Sequence, residues 1–174
     1  MTTVAEAPER AMERLNELLG KLGSEEGTVR HNARVALVTA GYVAVPGLVD
    51  RLEHGSSHAR WEAAKALTTV RDERAVRPLV NALTDDVPGV RWLAAEALAS
   101  IGRGVLEPLL QGMLEHSHSP WFREGAHHVL TTVGKGDLRE LVRPVLHALE
   151  AVEPEIGVLV PSHELLKALR AAIA

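Results

Sequence analysis

Cysteine is absent from the 174 residues. Disulfides, thiol nucleophiles and thiolate metal sites are excluded, and a reducing cytoplasm is the expected address. Aromatic residues are scarce at 3%, namely Tyr42, Trp61, Trp92, Trp121 and Phe122. A core must then be built from alanine, leucine and valine, whose small side chains favour helices packed closely on helices. Basic residues are not in excess: the formal net charge is -4 with His neutral, the wrong sign for a general nucleic-acid binder. No apolar run reaches membrane-spanning length, and the opening "MTTVAEAPER" lacks a basic head followed by an apolar stretch. Neither a membrane nor a secretory signal is therefore expected. There is also no glycine-rich phosphate loop, no GxSxG elbow and no Cys-His pair, so no catalytic residue is assigned.

What is present repeats. "ARWEAAKAL", starting at Ala59, returns as "VRWLAAEAL", starting at Val90. The arginines Arg30, Arg60, Arg91 and Arg123 lie 30, 31 and 32 residues apart. Three residues after each stands Ala33, Ala63, Ala94 or Ala126. Six and seven after each come Ala36-Leu37, Ala66-Leu67, Ala97-Leu98 and Val129-Leu130. A proline follows in each unit (Pro46, Pro78, Pro108, Pro144), trailed by aliphatics. Apolar positions at arginine −1, +3, +6, +7 and +10 share one side of a 3.6-residue helix, and the proline-led segments carry a second apolar stripe. Each unit is thus two helices. The first helices are expected at about 43–53, 73–83, 104–115 and 137–152, and the second at about 57–70, 88–101, 120–133 and 162–173. Ser119 before Pro120 reads as a cap and start, Gly102 and Gly134 as stops. "PERAMERLNELLGKLG" and "VRHNARVALVTAG" supply a further pair at the N-terminus, with Met12, Leu15, Leu18, Leu19 and Leu22 on one face. One hairpin cannot bury its apolar face alone, so neighbours must stack into a solenoid. The expectation is one all-α domain of five units at about 8–41, 42–71, 72–102, 103–134 and 135–174, the last an atypical cap.

"VRWLAAEALASIG", "ARWEAAKALTTV", "PLVNALTDD" and "PLLQGMLEHS" resemble HEAT repeats, specifically the short HEAT-like repeats named after phycobilisome (bilin) lyases. The resemblance covers roughly residues 10–150, and "LTDDVPGVR" follows the aspartate-to-arginine signature most closely, with Asp85 or Asp86 before Arg91. It implies a right-handed α-solenoid of about five HEAT-like hairpins whose arginine-bearing helices line the concave side. It marks fold more than activity, since such proteins include scaffolds, lyases and hydroxylases. HEAT-like hydroxylases place His-Glu after the repeat arginine. Here those places read His31-Asn32, Trp61-Glu62, Trp92-Leu93 and Glu124-Gly125, so that activity is not expected.

On the arginine-bearing helices the positions +1, +5 and +8 point away from the buried stripe. They bring His31, Trp61, Trp92, Glu124, Lys65, Glu96 and His128 to one band, with Trp121 and Phe122 at the start of the fourth helix. Tryptophan is enriched at binding hot spots. The expected function is a protein-interaction scaffold that binds a protein or peptide on its concave face. Trp61, Trp92, Trp121 and Phe122 would be its anchor, and Lys65, Glu62, Glu96 and Glu124 would set charge preference. The competing account leaves each Trp in a groove between repeats, covering an arginine stem. An enzyme on this scaffold, similar to bilin lyases or isomerases, is the alternative function. An activity like that of HEAT-like alkylpurine DNA glycosylases is disfavoured by the net charge. The arginines are expected to pair with turn carboxylates or helix C-termini of neighbouring repeats. His54 and His58, and His116 and His118, lie in turns two units apart without a clear third ligand, so no metal or cofactor is assigned.

Overall fold

The structure, a computed structural model, describes residues 6–172. Its elements run α1 (Glu6–Lys21), α2 (Gly27–Ala40), α3 (Val45–His54), α4 (Ser57–Val70), α5 (Val76–Asn81) and α6 (Pro88–Ile101). They continue with α7 (Leu106–His116), α8 (Pro120–Val133), α9 (Arg139–Leu149), α10 (Pro154–Gly157) and α11 (Leu159–Ala171). Short 3-10 turns lead into α3, α5, α7 and α9. The result is the all-α solenoid expected from the repeats.

The second helices α4, α6 and α8 occupy the expected positions, and local chemistry explains their ends. Ser56 Oγ accepts from Ala59 N at 3.4 Å and Ser119 Oγ from Phe122 N at 3.3 Å, each satisfying an otherwise orphaned first-turn donor. Gly102, at φ 93°, stops α6 in a conformation that side chains with a Cβ rarely adopt. The first helices are shorter than expected because their ends tighten into 3-10 turns, most clearly around α5.

Second helices pack on one another, α2 on α4, α4 on α6 and α6 on α8. Ala33, Ala63, Ala64, Ala94, Ala95 and Ala126 are all buried there. The first helices α3, α5 and α7 form a parallel row behind them. Between the rows lies one continuous aliphatic core that includes Leu37, Leu48, Leu67, Leu79, Leu98, Leu109 and Leu130. Met12 departs from the expected α1 face and is exposed, whereas Leu19 and Leu22 are buried. Residues 27–54 match a membrane-crossing helix in length and apolar content. They are nevertheless two helices, broken at Gly41 (φ 65°), and their buried residues join the solenoid core.

The last hairpin exchanges layers. Its first helix, α9, packs on α8, and its second, α11, packs mainly on α7. Arg170 of α11 reaches Glu107 of α7 at 2.9 Å, and His127 of α8 meets Glu150 at 3.2 Å. In this hairpin α11 does not extend the second-helix row.

Two glycines predict opposite outcomes. A methyl group at Gly112 in α7 would sit 2.7 Å from Val80 Cγ1 and 2.8 Å from Phe122 Cζ, inside the core. Nothing lies within 4 Å of one at Gly20. Gly112→Ala should cost about 1–3 kcal/mol, and Gly20→Ala should be neutral or stabilising by up to about 1 kcal/mol. Thermal unfolding followed by circular dichroism measures both.

Candidate functional site

The repeat arginines turn inward to the frame. Arg91 Nη1 donates to Asp85 O at 2.8 Å, Arg30 Nη1 to Ser24 O at 2.7 Å, and Arg123 Nη1 to Ser117 O. In each case the guanidinium caps the turn between its unit's two helices, where carbonyls lack helical partners. Arg60 also grips Asp85 of the following unit with two bonds, 2.8 and 3.1 Å, and pairs with Asp86. That hydrogen-bonded carboxylate holds the Arg60 pKa above its ordinary value. Arg60 thus meets the turn carboxylates of the neighbouring repeat as expected, whereas Arg30, Arg91 and Arg123 depart from that expectation by bonding the carbonyls of their own unit's turn.

Two expected surface residues are interior. Phe122 is fully buried, its ring 5.4 Å from that of His116. It occupies the arginine −1 position shared with Val29, Ala59 and Val90, so the apolar stripe claims it. Glu62 is 5% exposed. It bridges to α2, with Oε2 2.7 Å from Arg34 Nε and Oε1 3.6 Å from Arg30 Nε. Phe122 cannot anchor a partner, and Glu62 is committed to joining two repeats rather than to setting charge preference at the surface.

The three tryptophans lie on the open side of the second-helix row in different settings. Trp61, 37% exposed, lies along the next repeat: a methyl group at Gly89 would meet its Cδ1 and Nε1 at 3.0 Å. Trp121 stands at the position in α8 that Gly89 holds in α6, two residues before the arginine. Arg91 stacks over its ring at 4.4 Å, yet Trp121 remains 48% exposed. Trp92 is 58% exposed, with its ring 5.0 Å from that of His128.

A cleft of about 170 Å³ opens between α6 and α8, lined by Pro88, Arg91, Trp92, Ala95, Trp121, Glu124, Gly125 and His128. His128 Nε2 lies 2.7 Å from Glu96 Oε1, tying α8 to α6 beside it. The cleft thus gathers Trp92, Trp121, Glu124 and His128, with Glu96 at its edge. Lys65 and Trp61 belong to α4, and His31, whose Nδ1 is 3.0 Å from Arg34 Nη2, to α2. Sequence reasoning overlooked Pro88, Arg91, Ala95 and Gly125 as lining. The signal was there for Arg91, one residue from Trp92 and a clamp in its own right. Among the described residues no group of three or more His, Asp or Glu is placed to hold a metal ion.

Two measurements check this geometry. In variants retaining one tryptophan each, acrylamide should quench Trp92 most and Trp61 least. Glu62→Ala should lower stability by roughly 1–3 kcal/mol, because it removes a charge-assisted bond between repeats. The readout is the midpoint of thermal unfolding.

The sequence matches the pattern of the HEAT repeats over residues 15–99 and 45–131. It is 30% identical over 111 residues to phycocyanobilin lyase subunit beta of Nostoc sp. PCC 7120, covering 56% of each chain. It is 33% identical over 93 residues to the bilin biosynthesis protein RpcF of Synechococcus sp. WH8020, covering 53% of this chain and 44% of that one. The chain therefore spans about half the length of the curated relatives it matches. In fold it is similar to a chain from the complex of CpcE and CpcF of phycocyanin lyase from Nostoc sp. PCC7120. That match has a TM-score of 0.61 and 24% identity, covering 88% of this chain and 98% of that one. With its repeated arginine clamps and alanine seam, the chain belongs to the HEAT-repeat family.

Proposed function

We propose that the chain is a partner-binding HEAT-repeat protein that docks another protein or peptide on the concave, outward face of its second-helix row. The observation that carries this reading is the cleft between α6 and α8, which two half-exposed indoles line. Large aromatics held open on a rigid element are the residues that most often dominate an interface. The Glu96–His128 contact and the stacking of Arg91 on Trp121 tie α6 to α8 around the cleft. Trp92 and Trp121 are the anchors, with Glu124 at their side, and Trp61 widens the contact toward α4.

A second reading is a bilin-handling role, favoured by the sequence similarity to the two bilin-related proteins. Groove size bears on that reading. Pockets that enclose a small organic ligand usually measure about 300–1,000 Å³, and a linear tetrapyrrole belongs in that range. The cleft between α6 and α8, at about 170 Å³, lies below that range, and the adjoining groove lined by Thr84, His116, His118, Ser119, Pro120 and Trp121, at about 460 Å³, lies within it.

The test is affinity capture from the source cell's lysate by the wild type, by Trp92→Ala/Trp121→Ala and by the control Tyr42→Ala, after matching their helical circular dichroism. The expected outcome is a protein captured by the wild type and the control and lost from the double variant. Equal capture by all three overturns the docking face. Visible absorbance appearing on titration with phycocyanobilin, and lost in the double variant, would favour the second reading instead.

A further inference from the structure

The four repeat arginines differ in what they hold. Each gives Nη1 to a carbonyl of its own unit's turn. Three of them also face a carboxylate of the following unit. Arg60 binds both oxygens of Asp85, through Nε at 2.8 Å and Nη2 at 3.1 Å. Arg30 Nε lies 3.6 Å from Glu62, and Arg123 Nη2 lies 3.9 Å from Glu155. Arg91 differs. Its Nη1 takes Asp85 O and, at 3.4 Å, Asp86 O, while its Nε and Nη2 hold no partner among the described residues and are not closed off from solvent. The sequence gives the reason. Six and five residues before Arg91 stand Asp85 and Asp86, the carboxylates that Arg60 uses; the same places before Arg123 are Ser117 and His118. The two turns, "DDVPGVR" and "SHSPWFR", align without a gap. The fourth unit thus offers Arg91 no turn carboxylate and lays Trp121 against its guanidinium instead. Stacking occupies the face of the guanidinium and leaves its edge donors free in their own plane.

We infer that the free Nε–Nη2 edge of Arg91 receives a carboxylate side chain, aspartate or glutamate, of the docked protein, in the role that Asp85 fills for Arg60. The inference rests on the reading that this face docks a protein. Two parallel N–H donors match the two oxygens of a carboxylate, a geometry that an ammonium or an apolar group cannot use. Arg91 lines the cleft between α6 and α8, so a partner seated there comes within its reach. The carboxylates nearby are mostly committed elsewhere, Asp85 and Asp86 to Arg60 and Glu96 to His128. Glu124, on the α8 wall, is exposed. Water and salt screen its like charge, whereas the two-point bond to Arg91 acts at contact. A basic side chain would meet the Arg91 guanidinium with like charge.

Isotope-labelled protein is titrated with end-blocked Gly-Leu-X-Leu-Gly peptides, where X is glutamate, glutamine or lysine and the leucines give every peptide the same apolar contact. The glutamate peptide should move the Arg91 Nε–H and Trp121 indole N–H signals together and saturably. The Arg60 Nε–H, already bonded to Asp85, should stay in place and serves as the control. The glutamine peptide, similar in shape but uncharged, should bind roughly threefold or more weakly, the scale set by one charge-assisted contact, and the lysine peptide weaker still. Arg91→Lys keeps the charge but loses the fork, and should bring glutamate down to the affinity of glutamine at unchanged helical circular dichroism. Equal binding of glutamate and glutamine, a shift at Arg60 in place of Arg91, no shift with any peptide, or a glutamate preference undiminished in Arg91→Lys overturns the inference. Where Arg91→Lys does not fold, the wild-type signals decide alone. If glutamine binds as well as glutamate at Trp92 and Trp121, the docking face stands and only its acidic specificity falls. The docking face itself fails separately, through equal capture from the lysate.

Discussion

Close approach of successive second helices is the constraint on which the rest of this structure depends. Alanine at the arginine +3 position removes side-chain bulk from the seam, so each second helix packs directly on the next. Once the helices lie that close, bulk on the outward side has little room. A residue near the seam must lie flat, stand out into solvent or reach the neighbouring repeat with a polar group. All three outcomes occur. Trp61 lies along Gly89, Trp92 stands out, and Glu62 crosses to Arg34.

The cleft follows from a single difference between repeats. In α6 the position two before the arginine is Gly89, and the indole of Trp61 rests against it. In α8 the same position is Trp121, whose ring is occupied by the Arg91 guanidinium. Trp92 cannot lie down as Trp61 does, and it turns toward His128. The groove closed in one repeat is thereby held open in the next. Glycine at the close contact and tryptophan at the open one are opposite uses of the same register.

The ends of the solenoid obey a different requirement. An interior repeat is covered on both sides, whereas a terminal hairpin has one neighbour and chooses the arrangement that covers most of it. Here α11 crosses to α7 while α9 covers α8, and Arg170, Glu107, His127 and Glu150 make the polar contacts of that arrangement. The second-helix row consequently stops at α8, with the cleft in its last interval.

The helical hairpins, their period and the second-helix boundaries are legible in the amino-acid pattern alone. Those depend on local effects: an apolar stripe at 3.6-residue spacing, a serine cap and a glycine stop. It also held the fate of Phe122, whose −1 register belongs to the buried stripe. Burial of Glu62 was not legible, because its +2 position is Asn32, Leu93 and Gly125 in the other units, and a carboxylate enters the interior only where Arg30 and Arg34 meet it. Which tryptophan would lie flat, where a cleft would open and which helix α11 would cover were decided only by the tertiary structure. Those outcomes depend on contacts between residues from about thirty to about sixty positions apart, and a one-dimensional pattern records each residue's type but not the shape of what it meets.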